Sequence, residues 1–144
     1  MSKSLLLSLI FSFTLLSAPS FAEQKSQLGP YEVHYIAFNS TFVTPEIAKL
    51  YDIQRSRYNA LINISGLDSR NKNKPAVAVK LSGTARNLIG NQTNLDFKEV
   101  REGEAVYYLA QLRFSNEETF RFEITVDDGK SQQLLKFQQK LYVD

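Results

Sequence analysis

One imidazole, no thiol and a scatter of carboxylates are what this chain offers for acid–base or metal chemistry. His34 is the single histidine, there is no cysteine, and the one methionine is Met1. Zinc and copper sites need several imidazole or sulfur ligands brought together, so His34 reads as a strand residue with a local hydrogen bond. Nucleophilic schemes of the Ser-His-Asp or Cys-His kind would have to use His34 as their base. No G-x-S-x-G elbow is present, and the Ser-Gly pairs at Ser65 and Ser82 lack the flanking glycine. Glycoside hydrolysis needs two carboxylates held across a cleft; Glu99, Glu102, Glu104, Glu117 and Glu118 gather at turns instead, where solvated charge explains them. The stretch GTARNLIG, residues 83–90, has neither the lysine of a P-loop nor dinucleotide glycine spacing. Asp127 and Asp128 precede Gly129, as hairpin geometry favours. The expectation is no catalytic residue, no cofactor and no metal.

Chemistry being scarce, the scaffold carries the argument. Residues 1–22, MSKSLLLSLIFSFTLLSAPSFA, combine Lys3, an apolar run from Leu5 to Leu16, and Ser20 and Ala22 at small-residue positions. That is the pattern of a secretory signal peptide cut after Ala22. The apolar run is too short for a spanning helix, which needs about 20 residues, and no cysteine follows the cut for a lipid anchor. The expected product is a periplasmic chain with no stable membrane anchor. It keeps 122 of the 144 residues, one domain of ordinary size. The leader holds one of the 17 basic residues and none of the 15 acidic ones, leaving a net charge of +1. Nucleic-acid binding, which concentrates basic charge on phosphates, does not fit. Without disulfides, burial alone must hold the domain.

Glu23 to Leu28 is polar and reads as a flexible lead-in, and Gly29-Pro30 punctuates the start of the domain at residues 29–144. Strand density begins at Tyr31. Period-2 alternation recurs around Ala60–Ser65, Val77–Ser82, Val106–Phe114 and Phe120–Val126, with one face dry and the other wet. Asp128-Gly129 and Glu102-Gly103 mark hairpins, and Leu135, Phe137, Leu141 and Val143 form a closing inward face. About seven short strands separated by turn signals predict an all-β, immunoglobulin-like antiparallel sandwich.

One segment breaks the alternation. In NSTFVTPEIAKLYDIQRS, residues 39–56, Thr44 suits an N-cap, Pro45 the first helical position and Glu46 the positive end of the helix dipole. A short helix between the first two strands follows, with Ile47, Leu50 and Tyr51 on one apolar side. So short a helix must dock, and the expected place is the open end of the sandwich. The alternative makes it a binding element, with Lys49, Arg55, Arg57, Tyr51 and Tyr58 as its rim.

Other binding candidates lie on surfaces. Tyr107 and Leu109 point away from the core face, as does Tyr142, and exposed apolar patches are usually covered by something. Ser82 to Asn94 reads as a loop carrying Leu88 and Ile89 beside Arg86 and Asn87, and loops carry function; Leu88 and Ile89 could equally tuck under it as a satellite cluster. The partner-binding set is therefore Arg55, Arg57, Tyr58, Arg86, Leu88, Ile89, Tyr107 and Leu109. Lys136 and Lys140 read as protection of an edge strand.

The runs YEVHYIAFNSTFVTPEIAKLYDIQRSRYNALINISGLD, KPAVAVKLSGTARNLIGN, FKEVREGEAVYYLAQLRFSNEETFRFEITV and FQQKLYVD resemble a family of exported Gram-negative proteins, domain of unknown function 4426. The resemblance covers nearly the whole mature chain. It implies a periplasmic location and a single β-rich domain, and it brings no activity, cofactor or site residue. The expected function is a non-enzymatic accessory domain engaging an envelope protein partner. The alternative is a small-ligand or glycan binder using exposed tyrosines of an outer sheet face. Oligomeric state is left open by the residues.

Overall fold

The computed structural model describes residues 23–144, and the expected signal peptide lies outside the described residues. Nine strands build two antiparallel sheets. In chain order they are β1 (Gln24–Leu28), β2 (Tyr31–Asn39), β3 (Asn59–Asp68), β4 (Lys80–Asn87), β5 (Gln92–Leu95), β6 (Lys98–Glu102), β7 (Ala105–Arg113), β8 (Glu118–Asp127) and β9 (Gln132–Leu141). A five-stranded sheet runs β1-β2-β3-β7-β6 and a four-stranded sheet runs β5-β4-β8-β9. A 3-10 turn (Ser40–Phe42) and one helix, α1 (Pro45–Leu50), sit between β2 and β3. Among the described residues no helix is long and apolar enough to cross a membrane.

The core lies between the sheets and follows the alternation read from the sequence. Ala60, Ile62 and Ile64 of β3 and Val106, Tyr108, Ala110 and Leu112 of β7 face Phe120, Phe122 and Ile124 of β8 and Leu135 of β9. Phe137 stacks on Phe122 at 4.6 Å and lies tilted against Tyr35 of the opposite sheet at 4.5 Å. Offset ring pairs of this kind add to the burial of apolar area that holds the sheets together. Both predicted hairpins form, with Gly103 and Gly129 at positive φ.

Three readings need correction. The lead-in at 23–28 is a strand: Gln24–Leu28 pairs antiparallel with β2 from Gln24↔Tyr35 to Leu28↔Tyr31. The strand count is accordingly nine rather than seven, and α1 stands between the second and third strands. The segment Ser82–Asn94 is a hairpin rather than a loop, with β4 and β5 joined by Leu88–Asn91. The strand expected at Val77–Ser82 begins only at Lys80 and runs on to Asn87, an extension the periodicity did not show because the inward residues beyond Leu81 are small. Gly83 and Ala85 stand opposite Ile124 and Phe122, which fill the space. A Cβ on Gly83 would come within 2.7 Å of the Glu123 carbonyl oxygen and 2.8 Å of Ile124.

Candidate functional site

The strand registers sort every connection to one of two ends. One end carries the β2–β3 crossover (residues 40–58), the β4–β5 turn (88–91), the β7–β8 turn (114–117) and residues 142–144. Among the described residues, eight large apolar side chains are exposed, and seven lie in these segments: Phe42, Ile47, Leu50, Tyr58, Leu88, Ile89 and Tyr142. Only Leu134 lies elsewhere, on the outer face of the four-stranded sheet.

α1 contributes through the face that was expected to dock. Its N-terminus forms as read, Thr44 Oγ1 accepting from the Ile47 amide at 3.3 Å with Pro45 and Glu46 in the first turn. The buried residue is Ala48, while Ile47 is 41 % and Leu50 68 % exposed. The chain after the helix lies on the outer face of the five-stranded sheet rather than plugging the end of the sandwich. Gln111 accepts from the Gln54 amide at 2.9 Å and donates to the Asp52 carbonyl at 3.2 Å. Lys98 donates to the Tyr51 carbonyl, and the Tyr51 hydroxyl donates to Glu102 at 2.9 Å, which raises the tyrosine pKa. This cover explains why Leu61 and Val100 are buried although both point away from the core. A cleft of about 270 Å³ remains beneath it, lined in part by Tyr51, Lys98, Leu109 and Gln111.

The two arginines expected on the rim are exposed and bond backbone carbonyls. Arg55 donates to the carbonyls of Val43 (2.7 Å) and Thr41 (3.3 Å). Arg57 Nε donates to the Asp144 backbone oxygen at 2.8 Å. Asn39 closes the same junction by donating to the Tyr142 carbonyl at 2.9 Å and to Asp144 Oδ1 at 2.7 Å. Irregular chain leaves carbonyls that need donors, and these side chains supply them. Tyr58 stays half in solvent, and its carbonyl accepts from the Phe114 amide. Leu88 and Ile89 form the tip of the β4–β5 hairpin at 66 % and 83 % exposure. Arg86 points from β4 onto the outer face of the four-stranded sheet, where it donates to Gln92 at 2.6 Å.

Tyr107 and Leu109 do not join this end. Both are half-buried on the outer face of the five-stranded sheet, and Tyr107 and the loop-end Tyr142 share no face. Tyr107 lines a shallow hollow of about 250 Å³ with His34, Ser65 and Glu23. There His34 Nε2 donates to Glu32 at 3.1 Å, and its Nδ1 lies 3.7 Å from Glu23. Glu32 is almost fully buried and receives Lys74 at 2.7 Å and Lys25 at 3.4 Å. Those ammonium groups, Lys74 foremost, hold its carboxyl down at about 2 against the opposing effect of desolvation. This ionic knot fastens β1, through Lys25, and the β3–β4 connection, through Lys74, onto β2. Among the described residues no three His, Asp or Glu side chains gather as a metal site would require.

The sequence reading missed Ile47, Leu50 and Phe42 as surface residues, since apolar residues at helical spacing usually face inward. It also missed the Glu32 knot, whose members are spread from β1 to residue 74.

Comparisons place the chain. The family model for the domain of unknown function (DUF4426) matches residues 25–144. A DUF4426 family protein from Pseudomonas aeruginosa PAO1, with a crystal structure at 2.09 Å, is 34% identical, with a TM-score of 0.75 over 85% of this chain and 96% of that one. FetP of uropathogenic E. coli strain F11, recombinantly expressed in the periplasm of E. coli BL21(DE3), is 8% identical, with a TM-score of 0.59 over 87% of this chain and 99% of that one. The second likeness is one of fold alone. No curated protein matches the chain. With the family pattern running from the second residue of β1 through Asp144, the chain belongs to the domain of unknown function 4426 family.

Proposed function

We propose that this chain is an exported, immunoglobulin-type sandwich that works in the periplasm by docking an envelope protein partner through its crossover end, with no chemistry of its own. The observation that carries the reading is where the exposed large apolar residues fall: seven of the eight among the described residues lie in the crossover and in the segments that leave the sheets at the same end. Large apolar side chains on the surface of a soluble domain cost solvation and mark contact surfaces when they gather. Aromatic and aliphatic groups of this kind serve as interface anchors. The strand order supports the fold assignment: β2-β3-β7-β6 and β5-β4-β8-β9 correspond to A-B-E-D and C′-C-F-G of the immunoglobulin arrangement, with β1 added before A. The leader-like residues 1–22 support export.

The test is site-specific photo-crosslinking in the intact bacterial cell. Probes at Leu50, Ile89 and Tyr142 should trap one common envelope protein, while probes at Leu134 and Tyr107 should not. Absence of a shared adduct at the three loop-end positions would overturn the proposal.

A further inference from the structure

The outer face of the four-stranded sheet holds a charge arrangement that the fold does not need. Arg86 of β4 stands directly opposite Arg121 of β8. Both point outward, because their neighbours Ala85 and Phe122 are buried in the core. Like charges facing each other across a strand pair work against the sheet. Neither guanidinium meets a carboxylate: Arg86 donates to Gln92 at 2.6 Å and Arg121 to Gln138 at 3.3 Å, so the two are drawn apart toward β5 and β9. Each guanidinium has five N–H donors and spends one on these neutral partners.

Lys136 and Lys140 extend the pattern on β9. Cross-strand partners put Lys136 beside Glu123 and Lys140 beside Thr119 on the same face. Glu123, 3.9 Å from Lys136, is the one carboxylate among these four cations. The remaining charged residues of the face, Lys80 and Asp127, stand opposite each other at its far end and cancel. The face therefore carries +3, more than the +2 of the entire chain. Charge collected this way draws an oppositely charged partner.

The edge beside it indicates what form that partner takes. β9 is ten residues long, contains no proline and, among the described residues, pairs only with β8, so the backbone groups along its other side have no strand partner there. Such an edge accepts an extended chain as an added strand. Two copies of β9 pairing with each other would bring Lys136 and Lys140 close to their own counterparts, which disfavours self-association and leaves the edge to a strand of opposite sign.

We infer that β9 and the Arg86–Arg121 face receive an extended acidic polypeptide segment, adding as a strand and placing carboxylates at alternate residues over the basic face. Period-2 spacing is required because only every second side chain of an added strand points to that face. The inference names a second surface, distinct from the crossover end, and stands or falls separately from it.

A fluorescent (Glu-Thr)5 peptide titrated against the mature chain tests it, with Glu5Thr5, inorganic phosphate and phosphatidylglycerol vesicles as competitors. The alternating peptide should bind saturably, with amide shifts in β9, and the competitors should be weaker. R86Q/R121Q should lower affinity at least about tenfold with an unchanged urea midpoint, and K136E/K140E should redirect binding to (Lys-Thr)5. Equal binding of Glu5Thr5 or phosphate would reduce the face to unspecific attraction and overturn the strand model, as would preference for vesicles. Undiminished affinity in R86Q/R121Q would overturn it as well.

Discussion

Replacing Leu88 and Ile89 together by serine separates two accounts of the β4–β5 tip. If the pair tucked under its hairpin as a small apolar cluster, truncation would cost as core truncation does, roughly 2–5 kcal/mol for a buried leucine. The exposures, 66 % and 83 %, argue otherwise. Most of each side chain is already in water before unfolding, so the double variant should change folding stability by no more than about 0.5 kcal/mol, as surface substitutions do. Docking should respond in the opposite sense. Fully burying a leucine or isoleucine contributes about 1.5–3 kcal/mol; scaled by these exposures the pair represents roughly 2–4 kcal/mol of contact energy, or about 30- to 1000-fold in affinity at 1.4 kcal/mol per decade. Urea unfolding gives the first quantity, read from the midpoint at constant m. Crosslink yield from a probe at Tyr142, titrated against expression level, gives the second. A stability loss above about 1 kcal/mol, or an undiminished crosslink, would refute the reasoning.

Other outcomes follow from single contacts. The Tyr31 hydroxyl, 2.6 Å from Asp128, is the chief reason that the carboxyl sits at about 2. A depressed carboxyl favours the folded state above its unfolded value near 4 and loses that advantage as pH falls through 2. Y31F should raise the Asp128 pKa, seen by NMR titration, and flatten the fall of Tm between pH 5 and 2; an unchanged acid slope would count against it. G83A should lose about 1–3 kcal/mol, since its Cβ meets backbone. G66A, with nothing within 4 Å of its Cβ, should be neutral or gain about 0.4–1 kcal/mol. Comparable losses at the two glycines would contradict the packing described. Asn63 Oδ1 is buried without a protein donor, between Ile36 and Leu109 on adjacent strands. N63L should therefore raise stability by about 1 kcal/mol, and a lower urea midpoint would show that the amide has a use.

Legibility in the sequence tracked the physics of each segment. β7 and β8 showed themselves because each has one dry and one wet face, and the Asp-Gly and Glu-Gly turns because positive φ is chemically demanding. β1 was hidden because it is an edge strand whose one large apolar residue on the core, Leu28, makes no alternating pattern; its ladder with β2 and the Lys25–Glu32 pair hold it. The second half of β4, beyond Ser82, was hidden because Gly83 and Ala85 are small where Ile124 and Phe122 are large. The helix itself was legible from Thr44, Pro45 and Glu46, but its orientation was not. Helical spacing shows which residues share a side, and tertiary contacts chose Ala48 as the side turned inward. Of the candidate binding residues, Tyr58, Leu88 and Ile89 gather on the exposed end. Arg55 and Arg57 stay exposed but are tied to backbone for a reason spacing cannot reveal, the need of nearby carbonyls for donors.

The knot around Glu32 sets how firmly the first strand is attached. Apart from Leu28, β1 buries little apolar area, so beyond its ladder with β2 its hold draws on Coulombic attraction, which dissolved salt screens over about 8–10 Å. Amide hydrogens of residues 24–28 should therefore exchange sooner in brine than in dilute buffer, while those of β3 keep their pace. At high ionic strength the five-stranded sheet would begin to fray from its β1 edge, exposing the rim of β2 while the core stays intact.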